Sequence, residues 1–128
     1  MKDIHFVGMI NREIFKAVTE DILTEEVIIT EERIQHIKDN HPGDYEKFKD
    51  HISKALQDPE IVFASDEPNT ALIVDSIRIN GESFVIILRI KVSNDPIEYK
   101  NSILTLMTLS ERKKKKYIRN KKILYKRE

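Results

Sequence analysis

Three groups of residues have types and spacing suited to chemistry on a phosphate. The first is Arg33-Ile34-Gln35-His36-Ile37-Lys38-Asp39-Asn40-His41-Pro42. At about 100° per residue on a helix, Arg33, His36 and Asn40 fall within roughly 60° of arc, beside the Ile34/Ile37 stripe. One helix edge then presents a cation, an imidazole and an amide, and imidazole exchanges a proton near neutral pH. The second is Tyr99-Lys100-Asn101-Ser102-Ile103-Leu104-Thr105. Strand alternation puts Asn101, Ile103 and Thr105 on one face and Ser102 on the other. The third is the cation run from Arg112 to Lys122, with Tyr117 and Tyr125 close by. Clustered Lys and Arg bind phosphates in a salt-sensitive way, and a tyrosine ring stacks on a base. Each group also has a plainer explanation: a histidine bordering a core, hydroxyls on an ordinary edge strand, a solvated charged face.

The reaction that joins these parts is RNA cleavage by internal attack of a 2′-hydroxyl. It needs a base for that hydroxyl, an acid for the leaving oxygen and cations on the developing phosphorane charge, and no metal or cofactor. Each acid–base group contributes about 10²–10⁴-fold. His36, Arg33 or Arg89, and a lysine of the C-terminal run could supply them. Other chemistries lose their usual support. His36 and His41 are five apart, about 140° round a helix, unlike the i,i+4 pair of a zinc site. There is no cysteine to hold a metal or form a disulfide, and the glycines Gly8, Gly43 and Gly81 are isolated rather than gathered into a phosphate loop. No Gly-x-Ser-x-Gly elbow is present.

The elements that must position these residues follow from period and caps. Ile4–Val7 reads as a short strand. Asn11 offers an N-cap, and Ile10, Ile14, Val18 and Ile22 recur as on one side of a helix. Val27-Ile28-Ile29 is a β-branched run ending at Thr30, the expected N-cap of a helix from Glu31 to about Asn40 that Pro42 stops. Tyr45, Phe48, Ile52, Ala55 and Leu56 mark a helix from about Asp44 to Gln57, closed by Pro59. Ile61–Ala64 reads as a strand. Asn80-Gly81 between long β-branched runs predicts a type I′ hairpin pairing Ile79 with Glu82, Ile77 with Phe84, Ile73 with Leu88 and Leu72 with Arg89. One face then gathers Ala71, Ile73, Ile77, Ile79, Phe84, Ile86, Leu88 and Ile90, with Asp75 the misfit. The other is apolar but studded with cations, a usable binding surface. A strand over 101–109, a short basic helix capped by Ser110 and a last strand over 122–126 complete an α+β order, helices first and strands after.

At 128 residues the chain is expected to form one domain over 1–128. Its 22 Lys and Arg balance 22 Asp and Glu, but the balance is a cancellation. Residues 1–100 carry 12 basic and 20 acidic side chains, whereas residues 101–128 carry 10 basic and 2 acidic. Such asymmetry points to contact with nucleic acid or an acidic partner. No stretch approaches the roughly 18–20 apolar residues that span a bilayer, and no secretory signal is visible. With no cysteine, the expectation is a cytoplasmic protein without a membrane partner.

The pattern as a whole resembles the phage branch of the barnase/EndoU/colicin/RelE-like nucleases. The residues that carry the resemblance are Val27-Ile28-Ile29-Thr30 leading into Arg33-Ile34-Gln35-His36-Ile37 and His41-Pro42, then Asp58-Pro59-Glu60, Leu88-Arg89-Ile90, Asn101-Ser102-Ile103-Leu104-Thr105 and Lys122-Ile123-Leu124-Tyr125-Lys126. It covers about residue 5 to the C-terminus. It implies N-terminal helices packed on one face of an antiparallel sheet of about four strands, with RNA on the other face. It also implies a metal-independent endoribonuclease acting as a toxin or phage effector. By position, the catalytic set would be His36 with His41 nearby, Arg89 to neutralise the phosphate, and Thr105. Arg33, Asn101 and Ser102 would place the substrate, and Tyr125 and Lys126 would sit on an adjacent last strand. The implied partners are RNA, tRNA among the candidates, and an acidic immunity or antitoxin protein. Two other readings stand beside it: a non-catalytic RNA-binding module, and a protein-interaction domain associated with phage proteins.

Overall fold

A computed structural model describes residues 3–128. The described residues form seven strands and five α-helices. β1 (Ile4–Met9) leads to α1 (Arg12–Phe15), and β2 (Glu26–Thr30) runs directly into α2 (Glu31–Asn40). Next, α3 (Asp44–Phe48) and α4 (Ile52–Gln57) are joined by a 3₁₀ turn. Then come β3 (Ile61–Ala64), β4 (Thr70–Ser76), β5 (Ser83–Arg89), β6 (Asn101–Thr108), α5 (Glu111–Asn120) and β7 (Ile123–Lys126). The sheet order is β1-β2-β6-β5-β4-β3-β7, with β2 and β6 parallel and every other neighbouring pair antiparallel. The α+β class stands, but the sheet is mixed and has seven strands rather than about four antiparallel ones. Three of the added strands lie at the edges, β1 with β2 on one side and β7 on the other.

Local chemistry sets the helix starts. Asn11, Thr30 and Ser110 each accept a backbone N–H of the following turn, from Glu13, Arg33 and Lys113. The helix expected from Asn11 towards Ile22 stops after one turn. Thr19 Oγ1 accepts the Asp21 N–H, a local bond that competes with helix, and Arg12 donates to the Ile22 carbonyl and holds the chain folded back. Ile10, Phe15 and Ile22 are buried all the same, through a compact loop rather than one helix face.

The hairpin also departs from its expected form. Ser76 pairs with Ser83 and Thr70 with Arg89, two residues out of the predicted register. Type I′ requires φ > 0 at both central residues, and of Asn80 and Gly81 only Gly81 has it, at +70°. Asn80 instead accepts the Glu82 N–H with its side chain, and the Gly81 N–H closes onto the Ile77 carbonyl. A slip of two keeps every side chain on its face, so only Ile79 leaves the core, 96% exposed at the tip.

The sheet carries a separate core on each face. The helix-bearing face holds Ile34, Ile37, Phe48, Ile52 and Leu56 against Ile29, Ile73, Phe84, Ile86, Leu88 and Ile103. Phe48 stacks on Phe84 at 4.6 Å between ring centres. The opposite face, called outer below, holds Ile61, Phe63, Leu72, Val74, Val85 and Leu109, with Tyr117 of α5 laid over them. Tyr117 meets Phe63 edge to face at 5.7 Å. The outer face is therefore half roofed: α5 covers β3, β4 and part of β5, while Ile4 and Phe6 of β1 remain exposed. Asp75, the polar residue in an apolar row, is 2% exposed and meets Lys54 at 3.1 Å and Arg127 at 3.8 Å. Among the described residues no helix is long and apolar enough to cross a membrane.

Candidate active site

The residues expected to act together divide between the two faces. Ile34 and Ile37 pin α2 to the helix-bearing core, so His36 points to solvent on that side, where Asn40 Nδ2 lies 3.1 Å from its Nδ1. Arg33 is exposed, and its backbone N–H is held by Thr30. His41 follows the last turn of α2, half-buried, with its N–H on the Ile37 carbonyl.

Arg89, Ser102 and Thr105 lie on the outer face. Arg89 pairs with Ser102 across β5 and β6. A bulge in β6 changes the expected alternation there. Leu88 pairs with Ile103 but Ile87 pairs with Thr105, so Leu104 is the extra residue. Thr105 is thereby turned onto Ser102's face, while Asn101 and Ile103 stay on the helix-bearing side. Directly opposed residues sit about 4.5–5.5 Å apart at Cβ, which makes Arg89, Ser102 and Thr105 one patch.

Two members of the expected set are committed within the fold. Arg89 grips Asp95 with both terminal nitrogens, at 2.8 and 3.1 Å, and donates to the Ile90 carbonyl. The Val92 N–H, and then Arg89, hold the Asp95 carboxyl below its ordinary range. Asn101 is fully buried. It donates to the Thr24 and Glu26 carbonyls and accepts the Lys91 N–H. Its amide ties β6 to β2 and to the chain after β5, and none of it reaches a substrate. Tyr125 and Lys126 belong to β7, not to a neighbour of β6. Four strand spacings separate the two, about 19 Å. Tyr125 packs into the helix-side core and Lys126 pairs with Ile61.

The basic run forms α5 as expected, and its charges are distributed unevenly. Lys114 meets Glu60 at 2.7 Å with only 13% of its side chain exposed. That contact fastens α5 to the end of β3. Burial alone would raise the Glu60 carboxyl, but Lys114 and the Ser76 hydroxyl outweigh it and hold the group below its ordinary value. Arg112, Lys113, Lys116, Arg119 and Lys121 make no ion pair among the described residues. They line a cleft of about 700 Å³ with Ser110, Tyr117 and Asn120. Of the cations among residues 3–100, Arg12, Lys16, Lys38, Lys47, Lys54 and Arg89 are paired, whereas Arg33, Lys49, Arg78, Lys91 and Lys100 make no ion pair among the described residues.

The chain is thus an α+β protein with a half-roofed outer sheet face and, on the helix that roofs it, a cleft of cations without ion pairs among the described residues. A family model described as phage-Barnase-EndoU-ColicinE5/D-RelE like nuclease2 matches residues 4–126, and the chain belongs to that nuclease-like family. No curated protein and no solved structure matches it.

Proposed function

We propose that this chain is a metal-independent endoribonuclease, of the toxin or phage-effector kind, that holds single-stranded RNA on its outer sheet face. The observation that carries the proposal is the position of α5. Its five unpaired cleft cations lie on the same side of the sheet as Arg89, Ser102 and Thr105. Arg112, Lys116 and Arg119 span about 10 Å of helix axis, the reach of two backbone phosphates. Ser102 and Thr105 supply hydroxyls to the same strand, and Arg89 supplies charge once phosphate competes with Asp95. The acidic body repels RNA from most of the remaining surface. An acidic immunity protein would compete for the same cations.

The outer patch positions and neutralises; it contains no imidazole. In this reading proton transfer falls to a histidine of the helix-bearing side, and His36, with His41 beside it, is the one that the family resemblance nominates. The test is incubation of the purified protein with tRNA and total RNA in EDTA, comparing wild type with His36→Ala and Thr105→Val. Fragments ending in 2′,3′-cyclic phosphate from the wild type, diminished in Thr105→Val, support the reading, and the His36→Ala digest tells whether His36 is the histidine involved. Intact RNA with tight, salt-sensitive binding would support the non-catalytic RNA-binding module instead.

A further inference from the structure

At the opposite edge of the sheet from α5's anchor, β1, α2, α3 and the 3₁₀ turn border a shallow, open cleft of about 500 Å³, lined by His5, Phe6, Glu31, Lys38, Tyr45 and Lys49 among others. His5 lies on the helix-bearing side of β1, paired with Ile29, and Phe6 lies on the outer side, paired with Ile28. His5 Nε2 is 2.5 Å from Glu31 Oε2. A carboxylate on one ring nitrogen fixes the imidazole's orientation and leaves Nδ1 as the proton acceptor. Tyr45 is half-buried, with Lys38 Nζ 5.9 Å from its ring centre. Burial above all, and then the carboxylates of Glu31, Glu46 and Asp50, raise its hydroxyl above the ordinary value, so it stays a donor at neutral pH. Lys49 makes no ion pair among the described residues, whereas Lys38 is 3.5 Å from Glu46. The cleft thus combines an oriented imidazole, a protonated phenol, an ammonium group and two aromatic faces, with the Glu31 and Asp50 carboxylates also on its wall.

We infer that this cleft is a ribonucleotide subsite in which His5, held by Glu31, carries the proton transfer that the outer patch cannot supply. The inference rests on the reading of the protein as an RNA-cleaving enzyme and names another histidine for it. The geometry makes a continuous path. The part of the outer face that α5 leaves open runs across β6, β2 and β1, where the 62%-exposed Phe6, packed beside the buried Ile28, leads over the sheet edge into the cleft. From β5 to β1 is three strand spacings, about 14 Å, the span of two nucleotides. His36 faces away from this path: Glu31, Ile34 and Lys38 line the cleft, and His36 lies about 140° round α2 from Glu31. At the scissile phosphate, His5 takes the 2′-hydroxyl proton as oxygen attacks phosphorus. The P–O5′ bond breaks and the leaving oxygen takes a proton from Tyr45 or from water. The products are a 2′,3′-cyclic phosphate and a 5′-hydroxyl.

The experiment has two arms. In the first, His5→Gln, Glu31→Gln and His36→Ala are compared in RNA cleavage across pH, with RNA affinity measured alongside. The expected result is a loss of 10²-fold or more for His5→Gln at unchanged affinity. Glu31 is a positioning residue, so Glu31→Gln should lower kcat at unchanged KM rather than abolish cleavage. In the second, the ring signals of His5 are followed by NMR as an uncleavable dinucleotide, 2′-deoxy at the attacking position, is added. Selective shifts at His5 over His36 support the subsite. Wild-type cleavage by His5→Gln overturns the inference and leaves the nuclease reading intact. A wild type that cuts no RNA overturns the nuclease reading and, with it, the proton-transfer role of His5. A silent His5 ring overturns the subsite in either case.

Discussion

Neutralising the cleft face of α5 gives a quantitative prediction, because its cations are exposed and unpaired. The perturbation is the triple change Arg112→Gln, Lys116→Gln and Arg119→Gln. All three residues line the α5 cleft with Lys113 and Lys121, and none is in an ion pair among the described residues. Glutamine keeps nearly the helix propensity of Lys and Arg, and Lys114–Glu60 and Tyr117–Phe63, which dock α5, are untouched. Thermal stability should therefore change by no more than about 0.5 kcal/mol, as for surface substitutions generally. For single strands the slope of log K against log salt is about −0.7 per phosphate neutralised. Five cleft cations give a slope near −3.5, and the two left in the variant give about −1.4. The assay is fluorescence anisotropy with a labelled single-stranded RNA at about 50–300 mM salt. A matching slope in wild type and variant would refute the assignment of the RNA backbone to α5. So would an equal loss of slope on changing Arg33, an exposed cation of α2 outside both clefts.

Asn101→Ala should cost at least about 2 kcal/mol in urea unfolding. It removes the buried amide that serves the Thr24 and Glu26 carbonyls and the Lys91 N–H, and a partner left unsatisfied costs about 1–3 kcal/mol; an unchanged midpoint would contradict the tie between β6 and β2. Glu60 gives a pH signature. Its folded carboxyl is held below its ordinary value of 4.5, so its stabilisation is present above that pH and lost as pH falls through the lower folded value. Melting temperature measured down through that acid range should fall less steeply in Glu60→Gln than in wild type, and parallel curves would contradict the claim. Gly8→Ala should destabilise by about 1–3 kcal/mol. Its φ is +148° and an added Cβ would sit 3.2 Å from the Ser53 Cα and the Leu56 side chain; a thermal melt checks this.

The sequence is most legible where the signal is local. Thr30 and Ser110 mark the starts of α2 and α5, and the β-branched runs mark the strands, because caps and alternation act within a few residues. The errors come where distant parts decide. Asn80-Gly81 identifies a turn, but the Asn80 side-chain bond makes a four-residue loop and moves the register by two. The bulge at Leu104 reverses the face of Thr105, which strict alternation cannot foresee. Nothing near Asn101 indicates that Thr24 and Glu26 consume its amide. Nothing near Arg89 shows that Asp95 engages it in the fold, although the two are only six residues apart. His5 and Glu31 are 26 residues apart with no shared period. The antiparallel pairing of β1 with β2 is what joins them, so only the fold reveals the pair.

The central claim is cleavage of RNA through its own 2′-hydroxyl. The most direct measurement uses a short labelled RNA, and the same oligonucleotide with one 2′-deoxy sugar at the mapped cleavage position, both in EDTA. The first should be cut to a 2′,3′-cyclic phosphate end and the second should resist cleavage completely at that bond. Equal cutting of both, or cutting that EDTA abolishes, would contradict it.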